Sequence, residues 1–226
     1  MKKELLLFIT PNYNKERINQ DLLNNKYNLF DEVKLLTNDD LDDYIKPIVE
    51  NNINKYGMRG YGYWIWKPYI ILQELNKLEE GDILVHLDIH CNLYKVKNIF
   101  DKIIKELNDK SIILGVAGFN DYIYTTTKLR KYIENKLNYK FTDDELNQFQ
   151  FESGIQFIKN TEFSRNFIKQ WFDLMLNGLD YVSDMYNSDI SNHKTFIENR
   201  HDQSVISLLA KYYKFNIPNI SWADLH

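Results

Sequence analysis

The sequence predicts an α/β protein: a mostly parallel, Rossmann-like sheet flanked by helices, with one excursion from it. Three observations predict this. Apolar runs of strand length, bounded by turn residues, recur at residues 4–10, 32–37, 82–87, 111–117 and 151–158. Segments of helical periodicity separate the first four, which is the pattern of successive βαβ units and therefore of parallel pairing. Residues 118–150 break the alternation, being polar, tyrosine-rich and only weakly periodic.

In chain order, the first strand ends at Thr10-Pro11-Asn12-Tyr13, and residues 15–24 follow as a helix with Ile18, Leu22 and Leu23 on one face. The second strand leads to Asn38-Asp39-Asp40, a helix-start signal for a segment broken at Pro47. Gly57, Gly60 and Gly62 are then interleaved with Tyr56, Arg59, Tyr61, Tyr63, Trp64 and Trp66. This spacing matches neither a dinucleotide fingerprint nor a Walker loop. It suits backbone passing close to a ligand or to aromatic rings. Lys67-Pro68 opens a helix with Ile71, Leu75 and Leu78 as its buried stripe. The next strand closes on Asp88, and an amphipathic helix follows with Val96, Ile99, Phe100, Ile103, Ile104 and Leu107 inward. After the excursion, the strand at 151–158 passes through Asn160-Thr161 into a helix carrying Phe163, Phe167, Trp171 and Leu174. Residues 178–200 read as a mobile loop, residues 202–212 as a last helix, and 215–217 as a last strand.

Composition narrows the class of function. With 226 residues, 44% hydrophobic and 15% aromatic, the chain sustains one sizeable core and is not disordered. A net charge of −4 argues against a nucleic-acid binder, which needs a dense basic face. Cys91 is the single cysteine, so no internal disulfide forms and a reducing, cytoplasmic compartment is expected. The apolar run after Lys2 and Lys3 is too short for a signal sequence or a membrane span. Membrane contact is expected to be peripheral at most.

The chemistry converges on the end of the strand at 82–87. An apolar strand that closes on a carboxylate at a turn delivers charge to the crevice of an open α/β sheet. Asp88 offers a hard oxygen ligand, and His90 either adds an imidazole, suiting Mn²⁺ better than Mg²⁺, or bonds a phosphate directly without metal. Arg59 and Lys67 lie near a helix N-terminus, where backbone amides already favour an anion; a diphosphate is a fitting guest. Tyr13 either stacks on a base beside Thr10 or merely closes a turn. Asp202 is explained as an N-cap or as a site residue, and Glu152 as a strand residue or a catalytic one. Cys91 reads as a small buried residue, His86 as a core histidine, and His193 and His201 as surface residues.

The runs RGYGYWIWKP, GDILVHLD with Cys91, FESGIQFIKNT and HDQSVISLL resemble bacterial and viral polysaccharide-type glycosyltransferases of the GT-A fold, most of all a group that reads GYWxWKP and then YLDxGC. The later segments are also similar to the family of glycogenin and the bacterial lipooligosaccharide galactosyltransferases. The resemblance implies one GT-A-like domain over 1–226, with 1–117 binding the nucleotide-sugar donor and 118–226 serving acceptor and catalysis. It implies a nucleotide-diphosphate sugar, foremost a UDP-sugar, a glycan or glycolipid acceptor, and Mn²⁺ or Mg²⁺. Asp88 and His90 would form a DxD-like metal motif, with His226 a further ligand. Thr10, Tyr13, Arg59, Lys67, Asp88, Ser153 and Gly154 would bind the donor, and Glu152, Asp202 and Gln203 would serve catalysis. The later segments favour a retaining over an inverting outcome. His90 stands where DxD has its second acid, which puts metal dependence in question. Two other readings compete. A nucleotidyltransferase would need a glycine- and lysine-rich first loop that TPNYNKER does not supply; a non-catalytic carbohydrate-binding protein would use the aromatics as a sugar platform.

Overall fold

The computed structural model describes residues 1–11 and 13–217. Its centre is a five-stranded sheet of order β2-β1-β3-β5-β4, formed by β1 (Lys3–Ile9), β2 (Glu32–Thr37), β3 (Ile83–Leu87), β4 (Ile112–Asn120) and β5 (Phe149–Lys159). β1 pairs in parallel with β2 and β3, whereas β5 runs antiparallel to β3 and β4. The sheet is therefore mostly parallel, with one reversed strand supplied by the chain after the excursion. That reversal matters for the site. β3 pairs with β5 in a register that sets Leu87 opposite Ile155, and one step on the Asp88 N–H donates to the Gly154 carbonyl at 2.8 Å.

Side-chain alternation gives the sheet two apolar faces. Leu5, Leu7, Val85 and Phe157 face a core closed by α5 (Leu93–Glu106), whose Val96, Phe100 and Ile103 are buried. Leu6, Phe8, Leu84 and Ile158 face a larger core, covered by α2 (Ile45–Tyr56), α4 (Trp66–Leu75), α7 (Thr127–Leu137), α9 (Glu162–Asn177) and α11 (Asp202–Tyr212). Short helical turns, α1 (Gln20–Leu23), α3 (Gly60–Tyr63), α6 (Asp121–Tyr124), α8 (Asp143–Asn147) and α10 (Leu179–Val182), complete the chain. Helix starts are fixed chemically: Asn92 caps α5, Thr126 caps α7, and Thr142 and Thr161 close capping boxes on α8 and α9. Trp171, fully buried on α9, donates its indole N–H to the Asp202 carbonyl at 3.2 Å, tying α9 to the start of α11. No helix among the described residues is long and apolar enough to cross a membrane.

Four expectations need correction. Residues 15–24 do not form one helix, because the Asn14 and Asn19 side chains each accept a backbone N–H and start two separate short turns. Pro47 does not break a helix; it sits in the first turn of α2, where its missing N–H costs nothing. Residues 178–200 are laced into the structure rather than loose: buried Asn199 donates to the Val182 carbonyl at 2.8 Å, and Asn192 to the Tyr186 carbonyl at 2.8 Å. Residues 215–217 form no strand, and Phe215 instead stacks on Phe167 at 5.1 Å.

Candidate active-site cleft

β3 ends at Leu87, one residue before Asp88, and α4 begins nearby with Lys67 in its first turn. Lys67 is 2% exposed, yet its Nζ lies 3.3 Å from Asp202 Oδ2, 3.5 Å from Asp88 Oδ1 and 3.4 Å from Ser153 Oγ. Burial alone pushes an ammonium toward its neutral form; Asp202 and Asp88 outweigh that, and the Lys67 pKa is raised. A permanent cation is thus held between two carboxylates that arrive from distant parts of the chain. Gly154 makes this possible. A Cβ there would stand 2.3 Å from Asp88 Oδ2, so only glycine lets the carboxylate lie over β5. Gly154 therefore cradles Asp88.

The glycine-aromatic run builds the opposite wall. Gly60, Tyr61, Gly62, Tyr63 and Trp64 all have φ between 51° and 81°, a left-handed turn that L-residues resist. Its purpose is visible at Gly60, where a Cβ would collide with the Trp64 indole at 2.2 Å. The turn folds Trp64 back over its own backbone and against His201, the rings 5.4 Å apart and nearly parallel. His201 also has positive φ, at 55°. It is 2% exposed rather than a surface residue, and its Nδ1 donates to the Val182 carbonyl at 2.8 Å. Strained backbone from two segments meets at one contact, which is where functional sites concentrate strain.

These elements enclose a cleft of about 380 Å³. Arg59, Lys67, Asp88, His90, Glu152, Ser153, Asp202 and Gln203, all named from sequence, line it. Glu152 is 6% exposed. Burial first, and then the Asp88 charge, push its carboxyl up to about 8. Arg59 is not a free cation: its guanidinium is 3.1 Å from Asp184 and 3.2 Å from Glu198. Thr10 and Tyr13 lie in an adjoining cleft with Arg17 and Tyr61, and the two spaces meet where the Tyr13 hydroxyl reaches His90 Nδ1 at 3.0 Å. Burial lowers the His90 pKa, with Asp88 opposing. Cys91 is fully buried, and burial together with Asp88 raises its thiol well above the usual range, so it stays an unreactive thiol. His86 is a core histidine bonded to the Leu6 carbonyl at 3.1 Å; burial holds its pKa at about 4.

No group of three His, Cys, Asp or Glu among the described residues is arranged to hold a metal, and His226 lies outside them. Arg200, Trp64, Phe119 and His201 also line the cleft. Sequence reasoning assigned them no role there, although Arg200 and His201 directly precede the Asp202-Gln203 pair that it did single out.

The chain matches no known family model and no curated protein. Among solved structures it is similar to mouse xyloside xylosyltransferase 1 in its apo form, over 96% of this chain and 84% of that one, at 12% identity and a TM-score of 0.45. At that distance the likeness carries no residue-by-residue correspondence.

Proposed function

We propose that the protein is a glycosyltransferase that moves a sugar from a nucleotide-diphosphate donor, foremost a UDP-sugar, to a hydroxyl of a glycan or glycolipid. One observation carries the reading: the buried Lys67 ammonium, ion-paired to both Asp88 and Asp202, lines the same cleft as the buried Glu152 carboxyl, which burial and the Asp88 charge push up to about 8. A sugar-binding platform has no need of such charges, whereas expelling a diphosphate needs fixed positive charge in a dry site. Lys67, at the N-terminal turn of α4, contributes one such charge, shared with Asp88 and Asp202, so the rest has to come from elsewhere. A divalent cation held by Asp88 and His90 would neutralise the same leaving group.

Glu152 is the base in this reading. The acceptor hydroxyl oxygen attacks the anomeric carbon, the bond to the diphosphate breaks with its electron pair leaving on phosphate, and the hydroxyl proton passes to Glu152. A carboxylate of pKa about 8 is a far stronger base than an exposed one. Asp202, held by Lys67, remains to orient the sugar. Direct attack assisted by a base gives inversion, so the site favours the outcome opposite to the one suggested by the later segments.

The sign of the pH dependence follows. Glu152 must be deprotonated to accept the proton, so kcat/KM in the wild type rises through about pH 8 to a plateau, and Glu152→Gln is slow and flat across that range. A wild-type profile without this rise assigns the proton to the departing phosphate instead. The reading as a whole is tested by melting the protein with UDP and a panel of UDP-sugars, with and without Mn²⁺. Ligand that binds the native state alone at about a hundred times its Kd adds about 2.7 kcal/mol. If no nucleotide diphosphate raises the Tm under any metal condition, the transferase reading falls.

A further inference from the structure

A second groove, of about 460 Å³, lies between α2 and the turn that joins α9 to α10, and it shares no lining residue with the cleft. Its size is that of a small-molecule site. Lys55 and Asp180 are the charged side chains of its lining, and they pair with each other at 2.8 Å while the Tyr56 hydroxyl also donates to Asp180. The wall is therefore electrically balanced and holds no unspent charge for a phosphate or a carboxylate.

What the groove does offer is neutral hydrogen bonding. Asn52 is 2% exposed, yet among the described residues its side chain makes a single hydrogen bond, a long donation from Nδ2 to the Gly62 carbonyl at 3.4 Å. A primary amide has two N–H donors and an oxygen that accepts twice, so most of this buried group is unspent. Asn177 gives its Nδ2 to the Asp173 carbonyl at 2.8 Å and keeps its oxygen as an acceptor. Neither the Asn51 amide nor the Tyr181 hydroxyl bonds to a described residue. Tyr181 is held rigid in a stack between Tyr132 and Tyr186, its ring 4.8 and 5.6 Å from theirs. Uncharged donors and acceptors beside aromatic edges suit a ring of hydroxyls, each of which both donates and accepts. An acyl chain would leave these amides buried without partners.

We propose that this groove is a second carbohydrate site, which holds uncharged sugar residues of the acceptor glycan away from the point of transfer. Binding of a neutral saccharide stands on the groove alone; that the saccharide belongs to the acceptor rests on the transferase reading. The two sites lie on either side of one element. Asn52 bonds Gly62 of the left-handed turn, Gly62 packs so close to α2 that a Cβ would stand 3.0 Å from the Val49 carbonyl oxygen, and the same turn carries Trp64 into the cleft wall. A glycan seated in both places gains effective concentration at the cleft without any new contact at the reacting centre.

The test titrates the full chain with maltotetraose, cellotetraose and chitotetraose while ¹⁵N–¹H spectra report the side-chain amides. The Asn51, Asn52 and Asn177 resonances move with at least one of them, with a Kd on the order of 1 mM. Asn51→Ala with Asn177→Ala, both at exposed positions, weakens that binding by about 3- to 10-fold for each hydrogen bond removed. Asn52→Leu does the same, and the exposed pair keeps the test decisive should Asn52→Leu fail to fold. Groove affinity is independent of Asp88, so the cleft's own glycan affinity is read in the Asn51→Ala, Asn177→Ala background. In transfer assays the double variant raises KM for the tetrasaccharide acceptor by the same factor, with kcat and the KM for the single sugar unchanged. Amides that no saccharide moves, or binding undiminished in the double variant, overturn the proposal. An unchanged KM for the tetrasaccharide overturns the acceptor assignment alone. Groove binding in a protein that turns over no UDP-sugar counts against the transferase reading and leaves the carbohydrate site standing.

Discussion

Asp88→Ala lowers sugar transfer by about 10²- to 10³-fold, the usual loss when one preorganised electrostatic group is removed from a reacting centre. Three consequences converge in this variant. Lys67 keeps Asp202 as a counter-ion but loses Asp88, so the cation is no longer centred on the cleft. The hard oxygen ligand for a divalent cation disappears, and with it any Mn²⁺-dependent gain in Tm with UDP. The Asp88 charge is also one of the causes that raise Glu152, so the rise in the residual pH–rate profile moves toward acid. A protein that merely binds carbohydrate would keep its glycan affinity in Asp88→Ala, and that result would defeat the catalytic assignment. The Tm of the ligand-free variant stays within a few degrees of the wild type, because the Asp88 side chain is 33% exposed and its backbone link to Gly154 is retained.

What the sequence disclosed about this site follows from the range of the forces that build it. The strand ending on Asp88 and the helix opening at Lys67 are local: an apolar run, a proline in a first turn and a periodic stripe report them within a few residues. The ladder between β3 and β5 was legible only as two strands, because their antiparallel register emerges when the excursion returns the chain from the far side. Gly154 as a cradle for Asp88 depends on that register and could not be read from the motif. Arg59 shows the same limit. Nothing near it in sequence predicts that Asp184 and Glu198 capture it; those partners lie in a segment whose polar composition suggested mobility, and its asparagines instead serve as internal hydrogen-bond donors. The left-handed turn at residues 60–64 runs against local propensity at Tyr61, Tyr63 and Trp64. Packing of Trp64 on His201 offsets that cost, and such tertiary compensation is invisible in a propensity pattern.

Lys67→Met is expected to be the most destabilising single change in the cleft. Methionine fills the buried slot without strain, so no cavity term is added, and what remains is the loss of charge. Asp202, 5% exposed, then keeps its carboxylate in a dry site with the Lys67 partner gone, and Asp88 and Glu152 face it across the same cleft. Breaking a buried pair from one side costs about 3–5 kcal/mol. For a chain of this size 1 kcal/mol is worth roughly 2–4 °C, so the Tm falls by about 10 °C. Lys67→Arg does not rescue it, because a planar five-donor fork does not fit a slot shaped for one ammonium among Asp88, Asp202 and Ser153. The double variant Lys67→Met with Asp202→Asn separates charge from shape: if the uncompensated carboxylate is the cause, the second substitution restores much of the lost Tm but none of the UDP binding. Should Lys67→Met melt like the wild type, the ammonium is not what holds the two carboxylates together, and the electrostatic account of the cleft fails at its centre.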